Sequence, residues 1–279
     1  MSILNQSYKE LAIPYFKDVF YAIDNIMQKH RIPYYLIGVN AIALQLLRDN
    51  IKPSRGTKDI DFAIMISTMA EYEKLSESFE EIGFNKVEAL WTFYSPKYNV
   101  AIDILPFGEI EEQNTIPFLK RHTDLHVLGL KEVLESAVSV VIEERIAKIP
   151  PLAGMVVLKL VAWSDRPEER GDDLGDILKI IDHYFMFEFD EIVEKHHDIF
   201  PKNHDLDTLL VAAEVLGRES RFFLKKSEKL FERINGLLQE NLKVITESNI
   251  AKDWAREKDW ELEYAYSILA TFYKGIMTE

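Results

Sequence analysis

The hydrophobic pattern of this 279-residue chain changes at the double proline Pro150–Pro151. Before it, short apolar runs rich in β-branched and aromatic residues alternate with segments of helical spacing, which is typical of a mixed α/β domain. After it, long segments of helical spacing follow one another, and no comparable strand pattern returns. Because proline interrupts local structure, we place a domain boundary here. The sequence therefore predicts an α/β domain over residues 1–150 and a helical domain over residues 151–279.

Individual elements follow from the same periodicities. In the first domain we predict helices over 8–30, 40–50, 68–84 and 130–137, strands over 33–39 and 59–66, a hairpin of 87–94 with 98–106, and two short strands between 138 and 150. In the second domain we predict helices over 152–165, 173–185, 190–200, 205–220, 225–243 and 260–275. Gly38 lies at a strand-to-helix junction, and Gly83 marks a helix end.

The amino-acid composition indicates which binding partners and which cellular compartment to expect. The formal net charge of −14 argues against a surface that binds duplex DNA by unspecific attraction. The absence of cysteine excludes disulfides and thiolate chemistry and fits a reducing compartment. No basic segment leads into an apolar core at the N-terminus, and no window reaches the roughly 18 apolar residues of a membrane span. We expect a cytoplasmic protein without a membrane anchor.

Three aspartates interrupt strand-like apolar runs. Asp59 and Asp61 stand one residue apart in TKDIDFAI, so they share one strand face while Ile60 points into the core. Asp103 is a lone charge in NVAIDILPF. Carboxylates this close repel one another unless a cation neutralises them, and a hard divalent ion such as Mg²⁺ is the usual solution.

If the two strands are neighbours, the three carboxylates converge. Such a set can hold two Mg²⁺ ions for phosphoryl or nucleotidyl transfer and leave one carboxylate to accept a proton. We assign Asp59, Asp61 and Asp103 as catalytic and metal-binding residues, with Asp103 as the candidate base. A D-x-D tripeptide also occurs in turns, strand ends and calcium loops, so its sequence context decides its meaning.

That context is GVNAIALQLLRDNIKPSRGTKDIDF, residues 38–62, which resembles the nucleotidyltransferase superfamily of DNA polymerase beta and most of all its AbiEii/AbiGii toxin branch. A glycine-led turn that begins a helix matches at Gly38, although Val39 stands where the family generally has Gly or Ser. The motif R-x-[ST]-x-D-[IL]-D matches at Arg55, Thr57, Asp59, Ile60 and Asp61. The resemblance spans residues 34–182.

The start of the helix after Gly38 also has a physical reason to bind phosphate. Backbone N–H groups at a helix N-terminus form an anion site, which suits a triphosphate bridged to metal on the aspartates. We predict that Gly38, Asn40, Arg55 and Thr57 bind the nucleotide, with Asn40 supplying a polar contact and Arg55 a contact to phosphate. Alternatively, Arg55 only neutralises the negative charge of the nearby aspartates.

A second motif lies in LKLVAWSDRPEERGDDLGDILKII, residues 158–181. It resembles the family's later motif, K-L-x-A, then D-R, then a basic residue and D-L-x-D-[IL], which implies that Lys159, Asp173 and Asp176 face the nucleotide. From the residues alone, Lys159 sits in a helix that is apolar on nearly all sides, so its ammonium needs a buried partner or a cleft. Asp173 and Asp176, three residues apart on one helix face, can supply it. The alternative is a salt-bridge network that fastens the two domains together.

We predict a polymerase-beta-like α/β nucleotidyltransferase domain with a mixed sheet, followed by a helical domain. The predicted reaction moves a nucleoside monophosphate from an NTP to an acceptor hydroxyl with two Mg²⁺ ions. The resemblance implies the toxin of a bacterial toxin–antitoxin pair, with RNA such as tRNA as acceptor and an antitoxin protein as partner. The alternatives are transfer to a small molecule such as an antibiotic or a metabolite, which the acidic composition favours, a non-catalytic nucleotide-binding descendant, and, more distantly, a sugar-nucleotide transferase.

Overall fold

The structure is a computed structural model that describes residues 11, 13, 15–47, 51, 59–112, 115–118, 123–202 and 205–278. The candidate residues Arg55 and Thr57 lie outside these described residues. The chain divides into two compact units, Met1–Pro151 and Leu152–Glu279. No helix in the described ranges combines the length and apolarity that a membrane crossing needs.

The first unit alternates helices and strands. Its helices are α1 (Phe16–His30), α2 (Gly38–Leu46), α3 (Met69–Glu81) and α4 (Leu130–Leu134). Its strands are β1 (Tyr34–Leu36), β2 (Asp59–Met65), β3 (Asn85–Lys86), β4 (Thr92–Ser95), β5 (Val100–Phe107), β6 (Thr115–Phe118), β7 (Thr123–His126), β8 (Val138–Ile142) and β9 (Arg145–Ile149).

Five of these strands form a mixed sheet in the order β1-β2-β5-β4-β3. β2 and β5 are parallel at its centre, while β1 pairs with β2 and β4 pairs with β5 in antiparallel fashion. The central strands contribute fully buried side chains to the core, among them Ile60, Phe62, Ile102 and Ile104. The prediction of an α/β chain with a mixed sheet and many helices is confirmed.

Local sequence explains where the helices of this unit begin and end. Thr68 and Glu71 form a capping box at the start of α3, because each side chain accepts a bond from the other residue's backbone N–H. The chain turns after α3 through Gly83, whose φ of +88° favours glycine. The helix predicted over 8–30 contains α1, which begins at Phe16.

The hairpin prediction was right in kind and wrong in extent. β4 and β5 are antiparallel neighbours, as predicted, but β4 begins at Thr92 and not at Val87. Bends and turns occupy residues 88–91, where Glu88 is exposed and Ala89 is half-buried. The β6–β7 pair was not predicted, because Pro117 and charged residues break the alternation that indicates a strand.

All the regular secondary structure in the described residues of the second unit is helical. Its helices are α5 (Leu152–Asp165), α6 (Gly171–Phe187), α7 (Phe189–Lys195), α8 (Thr208–Leu224), α9 (Glu228–Asn241), α10 (Asn249–Lys258) and α11 (Leu262–Met277), with 3-10 turns at His197–Ile199 and Ile245–Glu247. Helices occur where all six were predicted, although the helix predicted over 190–200 ends at Lys195 and a 3-10 turn follows it. α10 was missed, although Ser248 caps it by accepting from Ala251 N–H and Trp254 is buried.

Candidate functional site

The three aspartates predicted as metal ligands lie on the two parallel central strands. β2 and β5 are neighbours, as predicted, and their register pairs Asp61 with Asp103 and Asp59 with Ala101. Residues paired across adjacent strands, whose axes lie about 4.8 Å apart, point to the same face of the sheet. Asp59, Asp61 and Asp103 therefore belong to one face.

Exposure follows the alternation expected of a sheet with one solvent-accessible face. Asp59 is exposed, and Asp61 and Asp103 are half-buried. Ile60 and Ile102, which point the other way, are 0% exposed. The carboxylates thus lie on the face that solvent and ligands can reach, which accounts for charged residues in otherwise apolar strands.

Gly38 brings the start of α2 against Asp61. The Ile37 backbone N–H donates to the Asp61 carbonyl oxygen over 2.9 Å, and Gly38 follows with φ +68°. A Cβ atom on Gly38 would lie 1.9 Å from Asp61 Oδ2, which no real contact allows. Glycine is required here both by the left-handed backbone and by the approach of the carboxylate.

Asn40 holds the same helix to the same strand. Its side chain is 2% exposed, and its Nδ2 donates to the Asp59 carbonyl oxygen over 3.0 Å. This bond explains a buried amide in an otherwise apolar helix. The assignment of Asn40 as a nucleotide-binding residue stays a prediction.

Thr92 is a site residue that the sequence did not reveal. It pairs with Asp103 across β4 and β5, and its Oγ1 donates to Asp103 Oδ1 over 2.5 Å. The bond fixes the orientation of the Asp103 carboxylate. Its only sequence signal is a threonine in the strand opposite, which becomes informative once the hairpin register is known.

Tyr72 supports the strand that carries Asp103. Its hydroxyl donates to the carbonyl oxygens of Leu90 and Ile104, at 3.1 and 3.3 Å. Burial raises the pKa of Tyr72 well above its usual value, and the charge of Asp103 raises it further. Tyr72 therefore keeps its proton and acts as a hydrogen-bond donor at neutral pH.

The donor chemistry of the aspartate face fits a hard cation. The carboxylate oxygens of Asp61 and Asp103, on paired strand positions, are the ligand type that Mg²⁺ prefers. Among the described residues, however, no group of three or more His, Cys, Asp or Glu side chains is placed to hold a metal ion. The assignment of a three-carboxylate metal site that includes Asp59 stays a prediction.

The second motif forms a buried ion cluster within the helical unit. Lys159 Nζ on α5 lies 2.6 Å from Asp173 Oδ1 and 2.7 Å from Asp176 Oδ2 on α6. Arg170 Nη1 lies 3.6 Å from the other Asp173 oxygen, so two cations face two carboxylates. The predicted pairing of Lys159 with these aspartates is confirmed, and the role of the three residues in nucleotide binding stays a prediction.

The charge state of Lys159 is set by two opposing effects. Burial alone would lower the pKa of its ammonium, because desolvation penalises the charged form. Asp173 and Asp176 outweigh burial through their charges and hydrogen bonds, and they raise the pKa of Lys159 above its ordinary value of 10.5. Lys159 is therefore a cation at physiological pH.

The Gly38→Ala variant should lose both stability and any activity of the aspartate face. The added methyl would meet the Asp61 carboxylate at 1.9 Å in a backbone conformation that alanine rarely adopts. We expect a loss of about 1–3 kcal/mol in the free energy of unfolding. Urea denaturation measures it, and Gly236→Ala is the control, since nothing lies within 4 Å of a Cβ at that helical position.

Comparisons with known proteins return distant structural neighbours. No family model matches the sequence. No curated protein matches it either. An antigenic nucleotidyltransferase-like protein from Paracoccidioides brasiliensis has a TM-score of 0.40 at 16% identity, covering 83% of this chain and 94% of its own. ANT(2″)-Ia in complex with adenylyl-2″-tobramycin has a TM-score of 0.41 at 12% identity, covering 65% of this chain and 92% of its own. The solution structure of ANT(2″)-Ia has a TM-score of 0.38 at 12% identity, and the match covers 65% of this chain and 96% of that protein. Likenesses of this strength do not establish a family or an activity for the chain.

Proposed function

We propose that the chain is a Mg²⁺-dependent nucleotidyltransferase that moves a nucleoside monophosphate from an NTP to an acceptor hydroxyl and releases pyrophosphate. The observation that carries this proposal is the joint placement of Gly38, Asp61 and Asp103. A helix start that only glycine permits lies against one carboxylate, and that carboxylate is paired with another on the neighbouring strand. This brings an anion-binding helix end together with ligands for a divalent cation.

Each residue of this group has a distinct role in the proposal. The N–H groups in the first turn of α2 bind phosphate oxygens, since the side chain of Ile37 before this helix provides no cap. Asp59, Asp61 and Asp103 would hold the metal ions. Asp103, oriented by Thr92, accepts the proton of the attacking hydroxyl. Bound Mg²⁺ ions supply positive charge to the attacking and leaving oxygens.

Lys159, Asp173 and Asp176 are also proposed to take part in nucleotide binding. A lysine ammonium has three N–H donors, and the two carboxylates accept two of them. The third donor is the one that a phosphate oxygen would use. The aspartates also prevent the buried ammonium from losing its charge, which such a contact requires.

The acceptor is the open part of the proposal. The resemblance to the AbiEii/AbiGii branch supports RNA, such as tRNA, and a toxin role with an antitoxin partner. The net charge of −14 instead favours a small acceptor, because an acidic surface repels the phosphate backbone of RNA. A hydroxyl-bearing small molecule such as an antibiotic or a metabolite is the second candidate.

One labelling experiment tests the activity and the acceptor class together. The protein is incubated with Mg²⁺ and each α-³²P-labelled NTP in turn, with either total cellular RNA or a metabolite extract, and the products are separated. Label on RNA supports the toxin-like reaction, and label on a small molecule supports the second candidate. Nucleotide binding without transfer in either mixture would contradict the proposal and identify a non-catalytic descendant.

A further inference from the structure

A cavity lies in the first unit, beside the end of β2 that is far from Asp59. Because β1 runs antiparallel to β2, its first residue, Tyr34, pairs with Ile64, at the far end of β2 from Asp59. The cavity there has a volume of about 420 Å³ and lies between the end of α1, the start of β1 and β9. This volume falls in the range of about 300–1,000 Å³ that small-molecule sites occupy.

Two cations from different elements line this cavity. Arg31 follows the end of α1, and Lys148 lies on β9. Both side chains are exposed, and within the described part of the chain neither forms an ion pair. Two unneutralised positive charges facing one concave surface are the electrostatic requirement for an anion site.

The polar groups on the inner wall are held in place by a buried carboxylate. Asp24 Oδ1 accepts from the Tyr34 hydroxyl over 2.7 Å and from Gln28 Nε2 over 3.3 Å, while Asp24 Oδ2 is paired with Arg145 Nη1 at 2.5 Å. Tyr34 and Gln28 both line the cavity. The carboxylate oxygens of Asp24 thus have hydrogen-bond partners within the first unit. Because Arg145 neutralises its charge, Asp24 does not repel an anion bound in the cavity.

The rest of the wall is apolar or aromatic. Met27, Pro33 and Ile146 line the cavity, and the Ile146 side chain is 59% exposed. The Tyr35 ring packs against Phe107 with centroids 5.9 Å apart. Burial raises the pKa of Tyr35, and the charge of Glu135 adds to this, so the hydroxyl stays neutral. A ligand here meets apolar and aromatic side chains beside the two cations.

The backbone at Arg31 gives a second reason to single out its side chain. Arg31 has φ +57° and ends α1 in a Schellman motif, since Arg31 N–H donates to Gln28 O and Ile32 N–H to Met27 O. Glycine is the favoured residue at this position, and an arginine there costs stability. A charged side chain kept at the cavity mouth against this cost indicates a use for the charge.

We propose that this cavity binds a small organic anion in which a phosphate or carboxylate group is joined to a flat apolar body. Arg31 and Lys148 bind the anionic group. The apolar body lies against Met27, Pro33 and Ile146, with Gln28 and the Tyr35 hydroxyl available for hydrogen bonds. This site is separate from the proposed nucleotidyl-transfer site and does not depend on it.

Titration calorimetry with three matched probes tests the proposal. The probes are 1-naphthyl phosphate, 1-naphthoate and the neutral 1-naphthylmethanol, added to the 279-residue chain and to its Arg31→Gln and Lys148→Gln variants. We expect at least one anion to bind, and each variant to weaken it about tenfold or more, since a charge-assisted hydrogen bond is lost. Lys29→Gln is the control: it removes a positive charge two residues before Arg31, but Lys29 does not line the cavity, so the affinity should stay within about twofold.

Preference for the phosphate or for the carboxylate probe identifies the anionic group and supports the site. The proposal is overturned if neither anion binds, if the neutral probe binds as tightly as the anions, or if Lys29→Gln weakens binding as much as Arg31→Gln.

An Arg31→Gly variant separates binding from folding. Glycine relieves the left-handed backbone at this position, so the melting temperature should rise by about 2–4 °C while anion binding falls as in Arg31→Gln. A more stable protein that still binds the anion with unchanged affinity would overturn the assigned role of Arg31.

Discussion

The Asp61→Asn variant should lose Mg²⁺-dependent transfer by a factor of about a thousand or more while its folding stability holds or rises slightly. The substitution keeps the shape of the side chain but removes one anionic ligand charge from the site, and metal-dependent transfer depends on that charge. In the metal-free protein, repulsion of Asp61 by the paired Asp103 and by Asp59 falls, which stabilises the fold. Activity and stability should therefore change in opposite directions.

Thermal melts and NTP-transfer rates measured on the same preparations test this expectation. Glu77→Gln is the control, because it removes one carboxylate from an exposed position of α3 in the same unit. It should leave the transfer rate and the melting temperature nearly unchanged. A destabilised Asp61→Asn protein that keeps its transfer rate would show that Asp61 has a structural role only.

The Lys159→Met substitution should lower the free energy of unfolding of the helical unit, and it should do so more than any of the other single substitutions. Its side chain is 11% exposed, and its removal takes away the buried cation that lies 2.6 Å from Asp173 Oδ1 and 2.7 Å from Asp176 Oδ2. Breaking a buried ion pair by removing one partner costs about 3–5 kcal/mol. Urea denaturation should show this loss, and Lys252→Met, at an exposed position of α10, should show almost none.

Two further experiments test whether the loss of stability comes from the charge of Lys159. One replaces its two aspartate partners, and the other varies the pH. Replacing both aspartates by asparagine in the Lys159→Met background should restore part of the lost stability, since no buried charge then lacks a partner. Because the pKa of Lys159 is raised in the folded state, its stabilising contribution is fully present below the ordinary value of 10.5 and is lost as the pH rises through the folded value. The difference between wild type and variant should thus be constant from pH 7 to 9 and shrink only in strong alkali. A variant as stable as wild type at pH 7 would contradict the role of the ion cluster.

The sequence predicted the helical unit well because each of its helices must bury one face. Apolar residues at helical spacing identified the helix Leu152–Asp165 with the observed bounds. α10 was not predicted, because it is only 10 residues long and buries few side chains, chiefly Ile250, Ala251 and Trp254. Its cap, Ser248, was the one local signal available.

Strand positions were harder to predict, because strands depend on partners that are distant in sequence. The alternation around Asp59 and Asp103 predicted which face each carboxylate takes, and the sheet confirms it. The register did not follow from the sequence, since it is set by the turn between β4 and β5, which places Thr92 opposite Asp103. Thr92 was therefore missed as a partner of Asp103.

Motif resemblance and geometry contributed different parts of the candidate site. The resemblance selected Gly38 and Lys159, and the structure then supplied physical reasons: a contact with Asp61 that only glycine allows, and a buried pair of carboxylates. Arg55 and Thr57 lie outside the described residues. The cavity at Arg31 has no motif, because its two cations, Arg31 just after α1 and Lys148 on β9, are distant in sequence.

Binding of Mn²⁺, followed by the EPR signal of the free ion in the presence of a non-hydrolysable NTP analogue, tests most directly whether Asp61 and Asp103 form one metal site. Mn²⁺ takes the same oxygen ligands as Mg²⁺ and reports binding without any need for turnover. We predict that wild type and Glu77→Gln bind the ion equally well, and that Asp61→Asn and Asp103→Asn each weaken binding by about tenfold or more. Unchanged Mn²⁺ affinity in both aspartate variants would contradict the proposed metal site and, with it, the proposed nucleotidyl transfer.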